Sequence, residues 1–164
     1  MTAHAAPIVF LSARYARRHE LKSYRDDLAF RGFRVASRWL DGEDEIGLAG
    51  PDRTEARRWL EINLVDLAQA SVVVCFSEDP EHQPAGGSRG GRHVEFGMAL
   101  EAGKEVLLVG PRENLFHWWL ADSQVFASWA PALDRLDFSR AWGLPICSPL
   151  SYGRQIAAVK GGAS

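Results

Sequence analysis

The segment richest in chemistry is Gly86-Gly87-Ser88-Arg89-Gly90-Gly91-Arg92-His93-Val94-Glu95-Phe96-Gly97-Met98-Ala99. A glycine-rich loop runs into a helix start, and Glu95 follows in what reads as the first helical turn. Unpaired backbone N–H groups and the positive end of the helix dipole favour anions at such a place. They would keep Glu95 ionised, which suits a nucleophile. The plainer reading is that Glu95 complements the helix dipole, as first-turn glutamates commonly do. Gly86-Gly87-Ser88-Arg89-Gly90 also has the G-x-S-x-G spacing of a nucleophile elbow. That motif needs a strand running directly into the turn, whereas a stretch containing Pro80 and Pro84 separates Phe76 from Gly86. The glycine spacing matches neither the dinucleotide fingerprint nor the P-loop.

Other chemistry-bearing residues fall into three groups. Arg14, Arg17, Arg18, Lys22 and Arg25 cluster with Glu20 as the one acid among them. Arg14 and Arg17 could hold a phosphate or belong to a solvated basic face, and Lys22 and Arg25 read as the latter. Asn63 and Asp66 lie one helical turn apart, opposite the stripe Leu60, Leu64, Leu67. They are site residues if that face overlooks a ligand and an exposed polar face otherwise. Phe116, His117, Trp118 and Trp119 crowd one short segment, which points to a buried contact, either in the core or at a subunit interface. His4 and His82 carry no signal. Of two cysteines, Cys75 sits in an apolar run and reads as a small buried hydrophobe. The lone Cys75…His82 pair is not a zinc-ligand pattern, so no metal is expected.

Composition limits what these groups can be part of. The chain has 164 residues, 46% hydrophobic and 24% charged, the profile of one ordinary globular domain spanning 1–164. Such a chain buries roughly 70% of its unfolded surface and needs no metal or disulfide to hold a core. Nineteen Lys+Arg against 21 Asp+Glu give 19 − 21 = −2, which argues against a general nucleic-acid binder. No apolar run reaches the roughly 18–20 residues of a membrane span, and the N-terminus lacks a signal-peptide pattern. A reduced, cytoplasmic protein is expected. The tail 160–164 reads as disordered.

The elements that must position these residues follow from hydrophobic periodicity and glycine punctuation. Strands are expected over 7–13, 33–39, 71–76 and 105–109, with a short fifth near 124–127. Helices are expected over 14–31, 53–70, 92–102 and 113–121, with further ones over 131–136 and 150–159. Gly32 and Gly103 serve as stops, Asp52 as an N-cap, and 40–51 and 77–91 as loops. This alternation predicts an α/β fold, a parallel sheet of about five strands with helices on both faces. Ligands bind at the carboxyl ends of such strands, so the loops 12–18, 39–51, 77–91 and 110–114 should share one rim.

Three stretches together resemble a known family. Ile8-Val-Phe-Leu-Ser-Ala-Arg14, Asn63-Leu-Val-Asp-Leu67, and Glu95-Phe-Gly-Met-Ala99 followed by Gly103-Lys104 are similar to the nucleoside 2-deoxyribosyltransferase superfamily, which includes nucleoside-monophosphate N-glycosidases. The run GGRHVEFGMALEAGK…GPREN resembles a subgroup met in phage and bacterial genomes. The resemblance implies a flavodoxin-like fold and a double displacement at C1′ of a (deoxy)nucleoside or its 5′-monophosphate. Glu95 would be the nucleophile, forming a glycosyl ester that a second base or water resolves. This parallels retaining glycosidases, whose two carboxyl groups stand roughly 5 Å apart. Ser12 and Arg14, with Arg17 beside them, and the loop Ser88, Arg89, Gly90, Gly91 would hold the sugar 5′ end or its phosphate. Trp39 would stand on the rim, where it could stack on a base. Asn114 falls where the family reaches a neighbouring subunit's 5′ end, which implies a homodimer or higher oligomer with a shared site.

Departures from the family pattern shape the expectation. Asn63 stands where the family carries a second aspartate, and an amide cannot donate a proton as a carboxylic acid can. Either Asp66 takes that role, or Asn63 only orients the base edge by hydrogen bonds, or the enzyme is weak. Arg89 stands where an aspartate or serine is usual and, with the basic first loop, leans toward a 5′-phosphate. Val9 replaces an early tyrosine. The expectation is an enzyme without cofactor that cleaves or exchanges an N-glycosidic bond, its partners being a small nucleoside or nucleotide and no nucleic acid or membrane. The alternatives are a non-catalytic nucleotide-binding or sensor domain and a glycosidase acting on nicotinamide dinucleotides.

Overall fold

Val72–Phe76 is an unbroken run of apolar residues rich in valine, which suits a strand covered on both faces. In the computed structural model, which describes residues 6–42, 53–79 and 90–144, this run is β3 and every residue in it is buried. β1 (Ile8–Ser12), β2 (Arg34–Val35), β4 (Glu105–Val109) and β5 (Val125–Phe126) complete one sheet in the order β2-β1-β3-β4-β5. All four pairings are parallel, and Ser12 lies directly across from Cys75. This is the flavodoxin-like order, whose direction of winding switches between β1 and β3.

Right-handed crossovers fix which helix covers which face. The connection from β1 to β2 runs one way along the sheet, while those from β2 to β3 and β3 to β4 run the other. α1 (Arg18–Phe30) therefore covers one face, and α2 (Arg53–Gln69) and α3 (Gly91–Glu101) cover the opposite one. α4 (Trp129–Trp142) joins α1. Trp129 stacks on Tyr24 with centroids 4.8 Å apart and donates its indole N–H to Asp27, and Arg31 pairs with Asp137. Gly32 and Gly103 sit at φ +79° and +66° where they end α1 and α3, a conformation that a side chain would strain. Gly110, at φ +115°, lets the end of β4 pass against Ser77, where a Cβ would come within 2.9 Å of the Ser77 carbonyl oxygen.

Five expectations about the elements need correction. The first helix begins at Arg18, after a 3-10 turn over Tyr15–Arg17, not at 14. The second strand stops at Val35 and a 3-10 turn, Arg38–Asp41, replaces its far half. The reason is local: Ser37 Oγ accepts the Leu11 N–H at 2.8 Å, and the Trp39 indole N–H donates to the Leu11 carbonyl at 2.9 Å. Side chains thus satisfy the edge of β1 where a strand would otherwise pair. The segment after β4 is a five-residue 3-10 turn, Leu115–Trp119, not a helix over 113–121. α4 is longer than 131–136, because Pro131 falls in its first turn, where proline costs no hydrogen bond.

The largest correction concerns α2. Leu60 is 57% exposed and Leu64 38%, whereas Asp66 is 3% exposed. Of the two readings left open for the Asn63 and Asp66 face, the inward one holds for Asp66, and of the leucine stripe only Leu67 is buried. Asp52, the loop 43–50, the 80–89 stretch and the helix read over 150–159 lie outside the described residues, as does the tail. Among the described residues no helix is long and apolar enough to cross a membrane.

Candidate active site

The carboxyl ends of β1, β3 and β4 form the expected rim. Ser12, the last residue of β1, is fully buried, and its Oγ donates to Glu95 Oε2 at 2.5 Å. Glu95 stands in the second turn of α3, since the helix begins at Gly91 and its first turn carries no acid. The expectation that the helix end holds Glu95 ionised is thereby corrected. Burial pushes its carboxyl up to about 7, and the Ser12 hydroxyl, which favours the charged form, offsets only part of that. A carboxyl poised near neutrality can act as nucleophile or proton carrier at working pH. Behind this pair lies Cys75, whose thiol is pushed well up by burial and by the Glu95 charge, so it stays protonated.

A second layer of charge braces the rim. Arg92 and Glu113 form a two-pronged pair, with Nε and Nη2 each 3.0 Å from a carboxylate oxygen and side chains only 4% and 3% exposed. Burial alone would raise the Glu113 carboxyl, but the Arg92 guanidinium outweighs it and holds the group below the ordinary range. Glu113 also accepts the Glu78 N–H at 3.3 Å. The start of α3 is thus tied to the ends of β3 and β4. Sequence reasoning missed Arg92, Glu113 and Glu78, because nothing in periodicity or spacing relates residues so distant along the chain.

Most of the expected site residues have other partners. Arg14 Nε lies 3.2 Å from Glu78 Oε1. Arg17 is held by both oxygens of Glu20, at 2.8 and 2.9 Å, and donates to the Ser77 carbonyl. Trp39 is 7% exposed with its indole N–H bound to β1, so it is a core residue and not a stacking platform. Lys22 and Arg25 meet Asp41 at 3.7 and 2.9 Å, which fits the solvated basic face expected of them. Gly90 and Gly91 stand at the start of α3 with open space around them. Ser88 and Arg89 lie outside the described residues.

Asp66 and Asn63 separate sharply. Asp66 accepts the Arg38 amide N–H and Nε–H, both at 2.8 Å, and Arg38 Nη2 lies 2.8 Å from it. Its lone pairs are engaged in fixing the turn after β2. Asn63 lies one turn nearer the rim, because α2 runs antiparallel to the strands and three residues rise about 4.5 Å. Its Oδ1 is buried without a hydrogen-bond partner.

The Asn114 side chain is engaged within its own chain. Its Oδ1 caps the following 3-10 turn by accepting from Phe116 and His117 N–H, and its Nδ2 contacts His93 Nδ1 and His117 Nε2 at 3.1 and 3.0 Å. His93, Glu113 and His117 bring ligand-type atoms within 4.8 Å of one another. Arg92 already holds both Glu113 oxygens and Asn114 Nδ2 contacts both imidazoles, so the donor set is engaged in a hydrogen-bonded network. Burial pushes His117 down to about 4, which keeps it neutral. Beyond it Leu115, Phe116 and Trp118 are exposed.

No family model matches the sequence, and no curated protein does either. Solved structures do match. A 2-deoxyribosyltransferase from Bacillus psychrosaccharolyticus superposes with a TM-score of 0.56 at 16% identity, over 77% of this chain and 90% of that one. A CMP N-glycosidase from Clostridium botulinum gives a TM-score of 0.49 at 16% identity, over 80% of this chain and 98% of that one. The first likeness shows a shared flavodoxin-like fold.

Proposed function

We propose that the protein transfers or hydrolyses the glycosyl group of a nucleoside or nucleotide through Glu95. The observation that carries this reading is Glu95 itself: a carboxyl on the carboxyl rim of the sheet, lifted to about 7 and held by one neutral donor, Ser12. A Glu95 oxygen attacks C1′, and the C1′–N bond breaks with its electron pair leaving on the base, which takes up a proton. The oxygen of water, or a nitrogen of a second base, then attacks C1′. The C1′–O ester bond breaks, its pair returns to the Glu95 carboxylate, and the acceptor loses a proton. The motif resemblance around residues 8–14, 63–67 and 95–104 supports the substrate class, as does the fold shared with a 2-deoxyribosyltransferase. Asn63, with its unpartnered Oδ1 one turn from Asp66, is positioned to hydrogen-bond a base edge and not to protonate it. The exposed Leu115, Phe116 and Trp118 support a homo-oligomer, which light scattering of the wild type and of Trp118→Asp would test.

The test is chromatography of free base after incubation with each deoxynucleoside, ribonucleoside and 5′-monophosphate. Wild type should release base and Glu95→Ala should not; equal release by both sinks the nucleophile assignment. One observation favours a second reading, a nucleotide-binding domain without turnover: Asp66 is fully engaged by Arg38, which leaves the Asn63 position without an acid beside it. That reading expects thermal stabilisation by ligand and no base release.

A further inference from the structure

Resting on the glycosyl-transfer reading, we propose that Arg38 is the platform on which the nucleobase stacks, and that it biases the site toward purine nucleosides. Trp39, the side chain expected to stack, turns inward and anchors the turn after β2 to the Leu11 carbonyl. Arg38 beside it turns outward. Its side chain is 57% exposed, while the Asp66 side chain that holds it is 4% exposed. Nε and Nη2 both meet Asp66 Oδ1 at 2.8 Å, and the Arg38 amide N–H donates to Oδ2 at 2.8 Å. The backbone is tied on either side as well, through Ser37 Oγ and the Trp39 indole, both bonded to Leu11. A long side chain that is ordinarily mobile is thus fixed at both ends, and little freedom remains to be lost when a ring is laid on it.

The way Arg38 is held leaves its faces open. Guanidinium N–H bonds lie in the plane of the group, so Asp66 engages an edge. Arg17, Arg18, Arg112 and Arg140 lie over Phe76, Tyr15, Trp118 and Phe33, 4.4–5.5 Å from the ring centroids. Arg38 has no such ring among the described residues, and a planar cation stacks on a nucleobase as it does on an aromatic side chain. The second observation is Asn63. It lies one turn from Asp66 on the same side of α2, and residues so spaced have Cβ atoms about 5–6 Å apart. Its Oδ1 is buried without a partner and is unfavourable until a donor arrives. A base resting on Arg38 would bring an N–H of its edge to that oxygen. A purine lays two fused rings on the cation where a pyrimidine lays one, and the larger, more electron-rich face gains more.

The experiment measures kcat and KM separately for base release from deoxyadenosine and deoxycytidine, and from the matching ribonucleoside and 5′-monophosphate pairs. Both bases carry an amino group for Asn63, so each pair differs in the size of the stacked ring. Wild type is compared with Arg38→Lys, which keeps a positive charge beside Asp66 but has no plane. Wild type should favour the adenine compound in kcat/KM by about tenfold. In Arg38→Lys its KM should rise about tenfold with kcat held within about twofold, while KM for the cytosine compound rises no more than about threefold. A loss of packing alone would lower kcat or the melting temperature and would not separate the two bases. An unchanged KM for the adenine compound overturns the proposal, as do equal rises for the two bases and a wild-type preference for cytosine. If Arg38→Lys does not fold, the wild-type ratio alone decides. The same ligands are also scored by thermal shift. Absence of base release from every compound sinks the glycosyl-transfer reading. Stabilisation of wild type by an adenine compound that is lost in Arg38→Lys would then still uphold Arg38, whereas equal stabilisation of the two proteins, or none, would overturn it.

Discussion

Glu95 and Asp66 are carboxyl groups turned inward from helices on the same face of the sheet, and they differ in what holds them. Glu95 receives one hydrogen bond from a neutral hydroxyl. Asp66 receives an amide N–H and a guanidinium that closes on it from the side. The first arrangement leaves lone pairs and a near-neutral proton affinity available for chemistry. The second uses the carboxylate as a clamp between α2 and the turn over Arg38–Asp41. Burial alone therefore does not mark a catalytic acid; the charge and number of its donors do. On the proposed reading, a carboxylate held in this way is a poor candidate for the acid role that its place on α2 suggested.

The sharpest way to break this contrast is to remove each carboxyl in turn. Glu95→Ala should lower base release at least about 1,000-fold with little change in melting temperature, as expected when a nucleophile is lost. Asp66→Ala should do the reverse, costing about 2–3 kcal/mol of stability in denaturant titrations because the Arg38 amide loses its buried acceptor. A comparable loss of turnover in Asp66→Asn, with stability intact, would return Asp66 to the chemistry.

Acidity sharpens the same comparison. If Glu95 attacks as the carboxylate, base release should rise with pH along a limb near 7, and Ser12→Ala should move that limb upward, since the hydroxyl favours the charged form. The stability effect has a definite sign. Between about 4.5, the ordinary value, and about 7 the folded protein keeps a proton that the unfolded chain has lost, so stability falls as pH rises through that window. Glu95→Gln should remove this slope and stabilise the protein at pH 8 by on the order of 1–3 kcal/mol, measured as unfolding midpoints at pH 5 and pH 8. The smallest effect belongs to the outer face of α2: Leu64→Lys should change the stability of the isolated subunit by no more than about 0.5 kcal/mol, where the sequence pattern alone would have forecast a core mutation.

Local chemistry made much of the fold legible. Valine-rich runs bounded by glycine are strands in almost any context, and glycines with positive φ mark where helices end. The stretch 105–109 is β4 residue for residue, and the helix start that carries Glu95 follows from Gly90 and Gly91. The strand beyond Val35 was not legible, because the groups that replace it, Ser37 Oγ and the Trp39 indole, bond to β1 across a gap in sequence.

By itself the sequence determined a parallel α/β sheet with its loops on one rim and a helix carrying a glutamate after the glycine pair. Those features depend on backbone preference and on the period of apolar residues, which are local. Only the tertiary structure decided which face of α2 turns inward, which arginines retain unmatched charge, and which carboxyl is left for chemistry. Helical period fixes that residues share a face but not where the face points. The pairing of Arg14 with Glu78 and Asp66 with Arg38 depends on strand order, which brings together loops far apart in the chain. A charge counted as free in the sequence is neutralised, or not, by a neighbour that only the fold supplies.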